Sequence, residues 1–368
     1  MSKDMDTVYI IGAGASVDWG FPVGDNLKND IARLLDANFD GFVDRGLSRR
    51  RESLLSRQEF QMADSLLERA GVIKAAMPLA YSIDNFLDAH KVNKELTKLG
   101  KLSIVRTILG YEEQSKLYTA EGRNIADVLM KPSWHRSLFQ SLVENCDIEQ
   151  FKERLTQVTF IIFNYDRVVE QFLLLATQLY YEVSETKAAE VINVLKIIHP
   201  YGQCGGLHWQ SYSDSSEDVR DFGDVIALDN TSHDLFADQI STFTDKDGLN
   251  TDRRRDAHYA ILGSNRIISL GFAFHPMNMK WLNSISLYFD LRKTHDYMND
   301  LSSERKVFTS AMGVSQSDLS IIEESCKKAF GMINNKDQSR FHYSGKDADC
   351  GTFMKEFSLS IGYGELIR

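Results

Sequence analysis

"TVYIIGAG", residues 7–14, is the stretch that decides the fold class of this 368-residue chain. Its first five residues form an apolar, β-branched run without alternation, which is typical of a parallel strand buried on both faces. The run ends in Gly12, Ala13 and Gly14, and Ser16 follows two residues later. Closely spaced glycines after a strand are typical of loops whose backbone N–H groups approach a phosphate. A tight strand-to-helix turn without any ligand explains these glycines equally well.

Four further apolar runs extend this pattern along the chain. They are VTFIIFNYD (158–166), VLKIIHPYG (194–202), DVIALD (224–229) and RIISLGFAF (266–274). Segments with helical periodicity separate the runs, for example DNLKNDIARLLDANF after the first of them. Alternating strands and helices predict an α/β fold with a Rossmann-like, mostly parallel sheet flanked by helices.

A long helical stretch interrupts the alternation between the first two runs. Over a hundred residues lie there, which is too many for a loop, and their periodicity is that of helices. We predict a large helical insertion at about 45–145, within a domain that covers residues 1–295. We predict that residues 296–368 form a mostly helical C-terminal appendage, because QSDLSIIEESCKKAFGMI has helical periodicity.

Composition and charge argue against several classes of protein. The formal net charge is −10, and an acidic surface repels nucleic acid, so direct nucleic-acid binding is not expected. The arginine clusters at 49–51 and 253–255 are interpreted as solvated loops. The sequence contains neither an apolar window of membrane-spanning length nor a signal-peptide pattern. We therefore expect a cytoplasmic protein without membrane contact.

The cysteines are spaced too widely for a zinc-binding C-x-x-C pair. They stand at positions Cys146, Cys204, Cys326 and Cys350. In a reducing cytoplasm such residues are usually small buried apolar groups. We therefore predict that the chain has no metal site.

Polar residues follow two of the predicted strands at the point where each strand ends. Asn164 and Asp166 end the run at 158–166, and His199 follows the next one in the motif HPYG. Ligands of open α/β sheets bind beyond the carboxyl ends of the strands, so these side chains are expected to face the same crevice as the glycine loop. The alternatives are structural: Asn164 and Asp166 are good N-caps for the following helix, and a histidine at a strand end is often a satisfied core residue.

A glycine-containing turn also follows the last apolar run, as Gly271-Phe272-Ala273-Phe274. A glycine at this position lets a flat ring or a ribose lie against the backbone, and the phenylalanine rings can stack on it. Each strand end is unspecific by itself. Four of them, each after an apolar run, form a more specific pattern.

These motifs together resemble those of the sirtuin-like family. Four elements occur in the family's order and strand context: GAGAS…GFP (12–22), FNYD (163–166), HPYG (199–202) and LGFAFHPMN (270–278). In addition, SIDNFL (82–87) and GKLSIVRTIL (100–109) look similar to helical inserts of the bacterial, non-deacetylase members. The resemblance covers about residues 5–285.

The chain departs from the protein-deacetylating sirtuins in three respects. It cannot build their four-cysteine zinc module, and GFPVGDNL lacks the arginine that follows their G-x-P turn. The family's histidine directly precedes a glycine, whereas here Tyr201 precedes Gly202 and His199 stands two residues earlier. Either His199 or Tyr201 therefore occupies the position of the catalytic histidine.

The resemblance implies an NAD glycohydrolase, which cleaves NAD with water to nicotinamide and ADP-ribose. NAD is then a consumed substrate, and neither a cofactor nor zinc is expected. The implied catalytic residues are Asn164 at the ribose or the water, Asp166 at the nicotinamide carboxamide, and His199 as proton acceptor. The residues implied to bind NAD are Gly12, Ala13, Gly14, Ser16, Tyr201, Gly202, Gly271 and Phe272.

Similar bacterial proteins deplete NAD in antiviral defence, often beside an FtsK/HerA-type ATPase or a short argonaute. Long inserted elements usually have a function, so the insertion is expected to carry the contacts of a homo-oligomer or of such a partner. The alternative function is a catalytically silent module that binds NAD or ADP-ribose, which the altered HPYG motif favours. A protein deacylase is disfavoured because the zinc module is missing.

Overall fold

A computed structural model of the chain arranges six strands of its described residues in one parallel sheet. The described residues are 6–37, 57–119, 124–210, 219–224, 237–242, 252–284, 305–332 and 340–363. The strands are β1 (Thr7–Ile11), β2 (Val158–Ile162), β3 (Lys196–Ile198), β4 (Arg266–Leu270), β5 (Lys306–Thr309) and β6 (Phe341–Tyr343). They lie in the order β3-β2-β1-β4-β5-β6, which is the order of doubly wound, Rossmann-like sheets. The predicted α/β fold class is therefore confirmed.

Strand β1 lies at the centre of the sheet, and all five of its residues are buried. It pairs in parallel with β2 on one side and with β4 on the other. Tyr9 stacks on Phe160 of β2 with ring centroids 5.0 Å apart. The chain builds β2 and β3 on one side of β1 before it crosses to β4 on the other. The carboxyl ends of β1 and β4 therefore border the crevice at which such folds bind their ligands.

Helices flank this sheet. In chain order they are α1 (Gly24–Ala37), α2 (Arg57–Ala76), α3 (Ile83–Ala89), α4 (Lys94–Gln114), α5 (Ile125–Leu129), α6 (Trp134–Val143), α7 (Ile148–Leu155), α8 (Val168–Tyr181), α9 (Glu185–Ile192), α10 (Asp252–Gly263), α11 (Pro276–Leu282), α12 (Gln316–Ala329), α13 (Cys350–Glu356) and α14 (Ser358–Ile361). Helix α1 buries Leu27, Ile31 and Leu35, whose spacing of four places them on one face. Within the described part of the chain, no helix has both the length and the apolar character needed to cross a membrane.

The helices α2 to α6 follow one another within the predicted insertion at about 45–145, and α7 connects it to β2. Both α2 and α4 pack against α1. The indole Nε1 of Trp134 donates to the carbonyl oxygen of Ala15 at 2.7 Å. The hydroxyl of Ser115 donates to the carbonyl oxygen of Trp19 at 3.0 Å. The inserted helices therefore support the glycine loop after β1 directly.

The C-terminal segment contributes two strands that the sequence analysis did not predict. Strand β5 pairs with β4, and β6 pairs with β5, so both extend the central sheet. The described part of residues 296–368 contains helices as expected, but it belongs to the sheet and is not an appendage to it. Strands of four and three residues carry too little periodicity to be recognised in a sequence.

Some predictions concern positions outside the described residues. Of the predicted strand at 224–229, the described residues include only Asp224. Residues 45–56 and 120–123 of the predicted insertion are outside as well.

Candidate functional site

The glycine loop after β1 packs directly against the turn after β4. The N–H of Gly12 donates to the carbonyl oxygen of Leu270 at 3.0 Å, and the N–H of Gly14 donates to that of Gly271 at 3.1 Å. A Cβ atom on Gly12 would lie 2.5 Å from the oxygen of Gly271. Gly271 has a φ of +57°, and its own Cβ would lie 2.1 Å from the nitrogen of Ala15. The close approach of two backbones thus requires these glycines.

Two more N–H groups of the glycine loop have partners inside the loop. Ala15 donates to the oxygen of Gly12 at 2.9 Å, and Ser16 donates to that of Ala13 at 3.2 Å. Together with the N–H groups of Gly12 and Gly14, four donors are therefore engaged and not available to a phosphate while these bonds persist. The tight-turn alternative thus accounts for the glycines, and the turn Ala13–Ala15 still lies at the carboxyl end of β1.

Asn164 and Asp166 meet the glycine loop at Ser16. The Nδ2 of Asn164 donates to the oxygen of Gly12 and to the Oγ of Ser16, both at 3.1 Å. The hydroxyl of Ser16 donates in turn to Oδ1 of Asp166 at 3.1 Å. Ser16 is 1% exposed, Asp166 5% and Asn164 7%. The structure therefore brings together polar residues that the sequence placed at two separate strand ends.

Asp166 also contacts the first turn of helix α8, although Arg167 and neither Asn164 nor Asp166 holds the N-cap position. Its Oδ1 accepts from the N–H of Val168 at 3.2 Å, in the first turn of α8. Burial raises the pKa of Asp166 to about 7, although its hydrogen bonds from Val168 and Ser16 act in the opposite direction. A carboxyl group of this kind can gain or release a proton near neutral pH.

His199 lies between the end of β2 and helix α8. Its Nδ1 is 3.1 Å from the main-chain oxygen of Asn164, and its Nε2 is 2.8 Å from Oε1 of Glu170. His199 is buried, and Glu170 is fully buried. This geometry matches the alternative of a satisfied core histidine. Sequence reasoning missed Glu170, although a carboxylate one helical turn after Asp166 is visible in NYDRVVEQF.

Tyr201 is fixed by helix α11 and by an aromatic cluster. Its hydroxyl donates to Oδ1 of Asn278 at 2.6 Å. Its ring meets Phe163 edge-on with centroids 5.7 Å apart, and Phe163 packs against Phe272 at 5.0 Å. Burial raises the pKa of Tyr201, so its phenol stays neutral. Tyr201 and Phe272, both predicted to bind NAD, thus pack against the same aromatic ring.

Gly202, also predicted to bind NAD, is required by the backbone beside it. It adopts a φ of +78°, and a Cβ atom there would lie 1.8 Å from the carbonyl oxygen of Gln239. Packing of the main chain therefore explains this glycine before any ligand is considered.

The insertion reaches the site through helix α3. Asp84 of α3 accepts a hydrogen bond from the hydroxyl of Tyr165, which stands between Asn164 and Asp166 in the chain. Burial raises the pKa of Asp84. Asp84 was part of the motif SIDNFL, but nothing in that motif indicated a contact with the end of β2.

A fully buried ion pair joins α4 of the insertion to the start of α8. The Nε of Arg167 donates to Oε1 of Glu112 at 3.0 Å, and both side chains are inaccessible to solvent. Arg167 also donates to the carbonyl oxygens of Gly206 and Arg220 at 3.2 and 2.9 Å. Because Arg167 directly follows Asp166, this pair anchors the site to the insertion.

The thiols of the described residues are all free, and three of the four cysteines are buried. Across the described ranges, no group of three or more His, Cys, Asp or Glu residues is arranged to hold a metal ion.

No protein-family model matches the chain, and no curated protein matches it either. A functional assignment therefore rests on the site itself. The site lies at the switch point of a doubly wound sheet. It combines a chain of buried hydrogen bonds with a carboxyl group whose pKa is about 7. Shifted carboxyl groups in such crevices are typical of binding and catalytic sites.

Proposed function

We propose that the protein is an NAD glycohydrolase, which hydrolyses NAD to nicotinamide and ADP-ribose. The observation that carries this proposal is the buried cluster of Ser16, Asn164 and Asp166 at the carboxyl ends of β1 and β2, beside the switch point of the sheet. Doubly wound sheets bind dinucleotides at this position. The resemblance to the sirtuin-like family supports the same assignment, because the three residues stand in the motifs GAGAS and FNYD.

The chemistry of this reaction matches the groups that the site offers. Nicotinamide leaves as a neutral base from a positively charged ring, so its departure requires no general acid. Cleavage of the N-glycosidic bond leaves an oxocarbenium-like ribose, which preorganised dipoles stabilise. The Nδ2 of Asn164 is fixed by Gly12 and Ser16, which leaves its Oδ1 as an acceptor for the ribose or the water.

Asp166 is the titratable group that the family resemblance places beside the nicotinamide. With a pKa of about 7, it is present both as an acid and as a carboxylate near neutral pH. The acid donates to a carboxamide oxygen, and the carboxylate accepts from a carboxamide N–H. Either form can therefore bind the nicotinamide carboxamide, the role that the family resemblance gives to Asp166.

Replacement of Asn164 tests this proposal. In purified full-length protein, we expect Asn164→Ala to slow nicotinamide release on the order of a hundredfold, because the lost dipole acts on charge that develops in the transition state. The affinity for NAD, measured by calorimetry, is expected to change little. Asn26→Ala, an exposed position on α1, is the matched control and should behave like the wild type.

Two results would contradict the proposal. Nicotinamide release at the wild-type rate by Asn164→Ala in an active preparation would remove Asn164 from the mechanism. Tight NAD binding by the wild type without any nicotinamide release, alone or with an FtsK/HerA-type or argonaute-type partner, would favour the silent NAD- or ADP-ribose-binding module.

The wider setting of this activity is also a proposal. We propose that the chain acts in the cytoplasm as a homo-oligomer, in antiviral defence that depletes NAD, beside an FtsK/HerA-type ATPase or an argonaute-type partner. The family resemblance supports the setting. The insertion supports the assembly, since α2 to α6 form a large helical element between two adjacent strands.

A further inference from the structure

Both ring nitrogens of His199 lie within hydrogen-bond distance of an oxygen atom. Nδ1 is 3.1 Å from the main-chain oxygen of Asn164, and Nε2 is 2.8 Å from Oε1 of Glu170. A neutral imidazole has one N–H and can donate to only one of two acceptors. A neutral ring beside a Glu170 carboxylate therefore leaves one of the two contacts without a proton. Both contacts are satisfied only if the pair of His199 and Glu170 carries one additional proton.

Two arrangements of the protons meet this condition. In the first, an imidazolium donates from both nitrogens to Asn164 and to a Glu170 carboxylate. In the second, protonated Glu170 donates to Nε2, and Nδ1–H donates to Asn164. The pair has no net charge in either case, which suits its burial. Oε2 of Glu170 is buried without a hydrogen-bond partner among the described residues, which costs less on a neutral acid than on a carboxylate.

These two arrangements share one feature that decides the role of His199. Nδ1 carries a proton in both, and Nε2 is engaged with Glu170 in both. Neither nitrogen therefore has a lone pair that could accept a proton from the ribose or from water while these contacts persist. The contact through Nδ1 instead holds the main chain of Asn164, whose side chain is bonded to Ser16.

We infer that Glu170 is a positioning residue that acts through His199 to fix the turn carrying Asn164, and that His199 is not the proton acceptor of the reaction. This inference rests on the proposed NAD hydrolysis and assigns the residues of that same site. It leaves Asp166 as the titratable group bonded to the Ser16–Asn164 cluster.

Two substitutions of Glu170 separate positioning from an effect of charge. In Glu170→Gln, the amide N–H can donate to Nε2 while Nδ1–H stays on Asn164, so the kcat for nicotinamide release is expected to fall less than about tenfold. In Glu170→Leu, the ring loses one of its two supports, and kcat is expected to fall on the order of a hundredfold with little change in KM. Glu153→Gln, an exposed carboxyl on α7, is the matched control and should leave kcat unchanged.

A proton-accepting His199 predicts a different order of rates. If His199 accepts the proton, the negative charge of Glu170 stabilises the imidazolium that forms. Glu170→Gln removes that charge and would then lower kcat as much as Glu170→Leu does. That result, or an unchanged kcat in Glu170→Leu, would overturn the inference.

A second measurement does not depend on activity or on the folding of Glu170→Leu. The chain contains nine histidines, and the side-chain ¹⁵N resonances of His199 can be identified by their loss in His199→Gln. We expect a proton on Nδ1 in both the wild type and Glu170→Gln. A neutral ring with its proton on Nε2 would overturn this inference and leave the proposed function standing. A wild type that releases no nicotinamide would instead contradict the proposed function.

Discussion

At the scale of single residues, Gly14 lies where the glycine loop touches the turn after β4. Its substitution is therefore expected to lower the stability of the fold first and to affect ligand binding second. A Cβ atom there would lie 3.0 Å from the Cα of Gly271. We expect Gly14→Ala to lower the free energy of unfolding by about 1–3 kcal/mol, because a well-packed contact must open. Urea denaturation measures this change.

The matched control for Gly14 is Gly110, in the middle of α4. Beyond the chain neighbours and the backbone of its own helix, no described atom would lie within 4 Å of a Cβ atom at this position, so Gly110→Ala is expected to raise the free energy of unfolding by up to about 1 kcal/mol. If Gly14→Ala keeps wild-type stability but loses NAD binding, the glycine serves the ligand and not the packing.

Asp166 makes stability depend on pH. Its pKa is raised from 3.8 to about 7 in the folded protein, so the folded state binds this proton more tightly than the unfolded state does. The stabilisation is present in full below about pH 4 and is lost as the pH rises through about 7. Asp166→Asn keeps an oxygen acceptor but does not ionise. We expect its stability relative to the wild type to increase between about pH 5 and about pH 8, as measured by urea denaturation. A difference independent of pH would contradict the shifted pKa.

At the scale of secondary-structure elements, the buried pair of Glu112 and Arg167 joins the insertion to α8. Glu112→Gln would leave the guanidinium buried without its carboxylate, and we expect the free energy of unfolding to fall by about 3–5 kcal/mol. Glu113→Gln, the exposed neighbour on the same helix, should change it by less than about 0.5 kcal/mol. Chemical denaturation of both variants tests this expectation, and equal stabilities would show that the pair does not anchor the insertion.

At the scale of the whole molecule, the insertion is expected to carry the contacts between copies of the chain. We predict a homo-oligomer of even order in sedimentation at micromolar concentration. Leu79 and Val92, which flank α3, are 91% and 90% exposed. Replacing both by Ser should shift the chain toward the monomer, because self-association would bury such apolar side chains.

The control for this experiment is a pair of exposed residues outside the insertion. Ile321→Ser and Leu359→Ser, in the C-terminal segment, should leave the sedimentation unchanged. A monomer with and without NAD would contradict the predicted assembly. A shift caused by the control pair would place the contact in the C-terminal segment instead.

The sequence by itself determined the fold class and the elements that form the centre of the sheet. Strands β1, β2 and β4 are five-residue runs of mostly apolar residues, and burial on both faces leaves that signature in the sequence. The rule that parallel strands end at one edge also placed Asn164 and Asp166 beside the glycine loop, and their hydrogen bonds to Ser16 confirm this proximity.

Only the tertiary structure decided which partners these residues have. Gly14 contacts Gly271, His199 contacts Glu170, and Asp84 contacts Tyr165, in each case across a wide separation in the chain. Periodicity records whether a side chain is buried but not which side chain it meets, because the same apolar face can pack against many neighbours. For this reason the sequence left the role of His199 open, whereas the folded chain supplies the two hydrogen-bond partners of its ring.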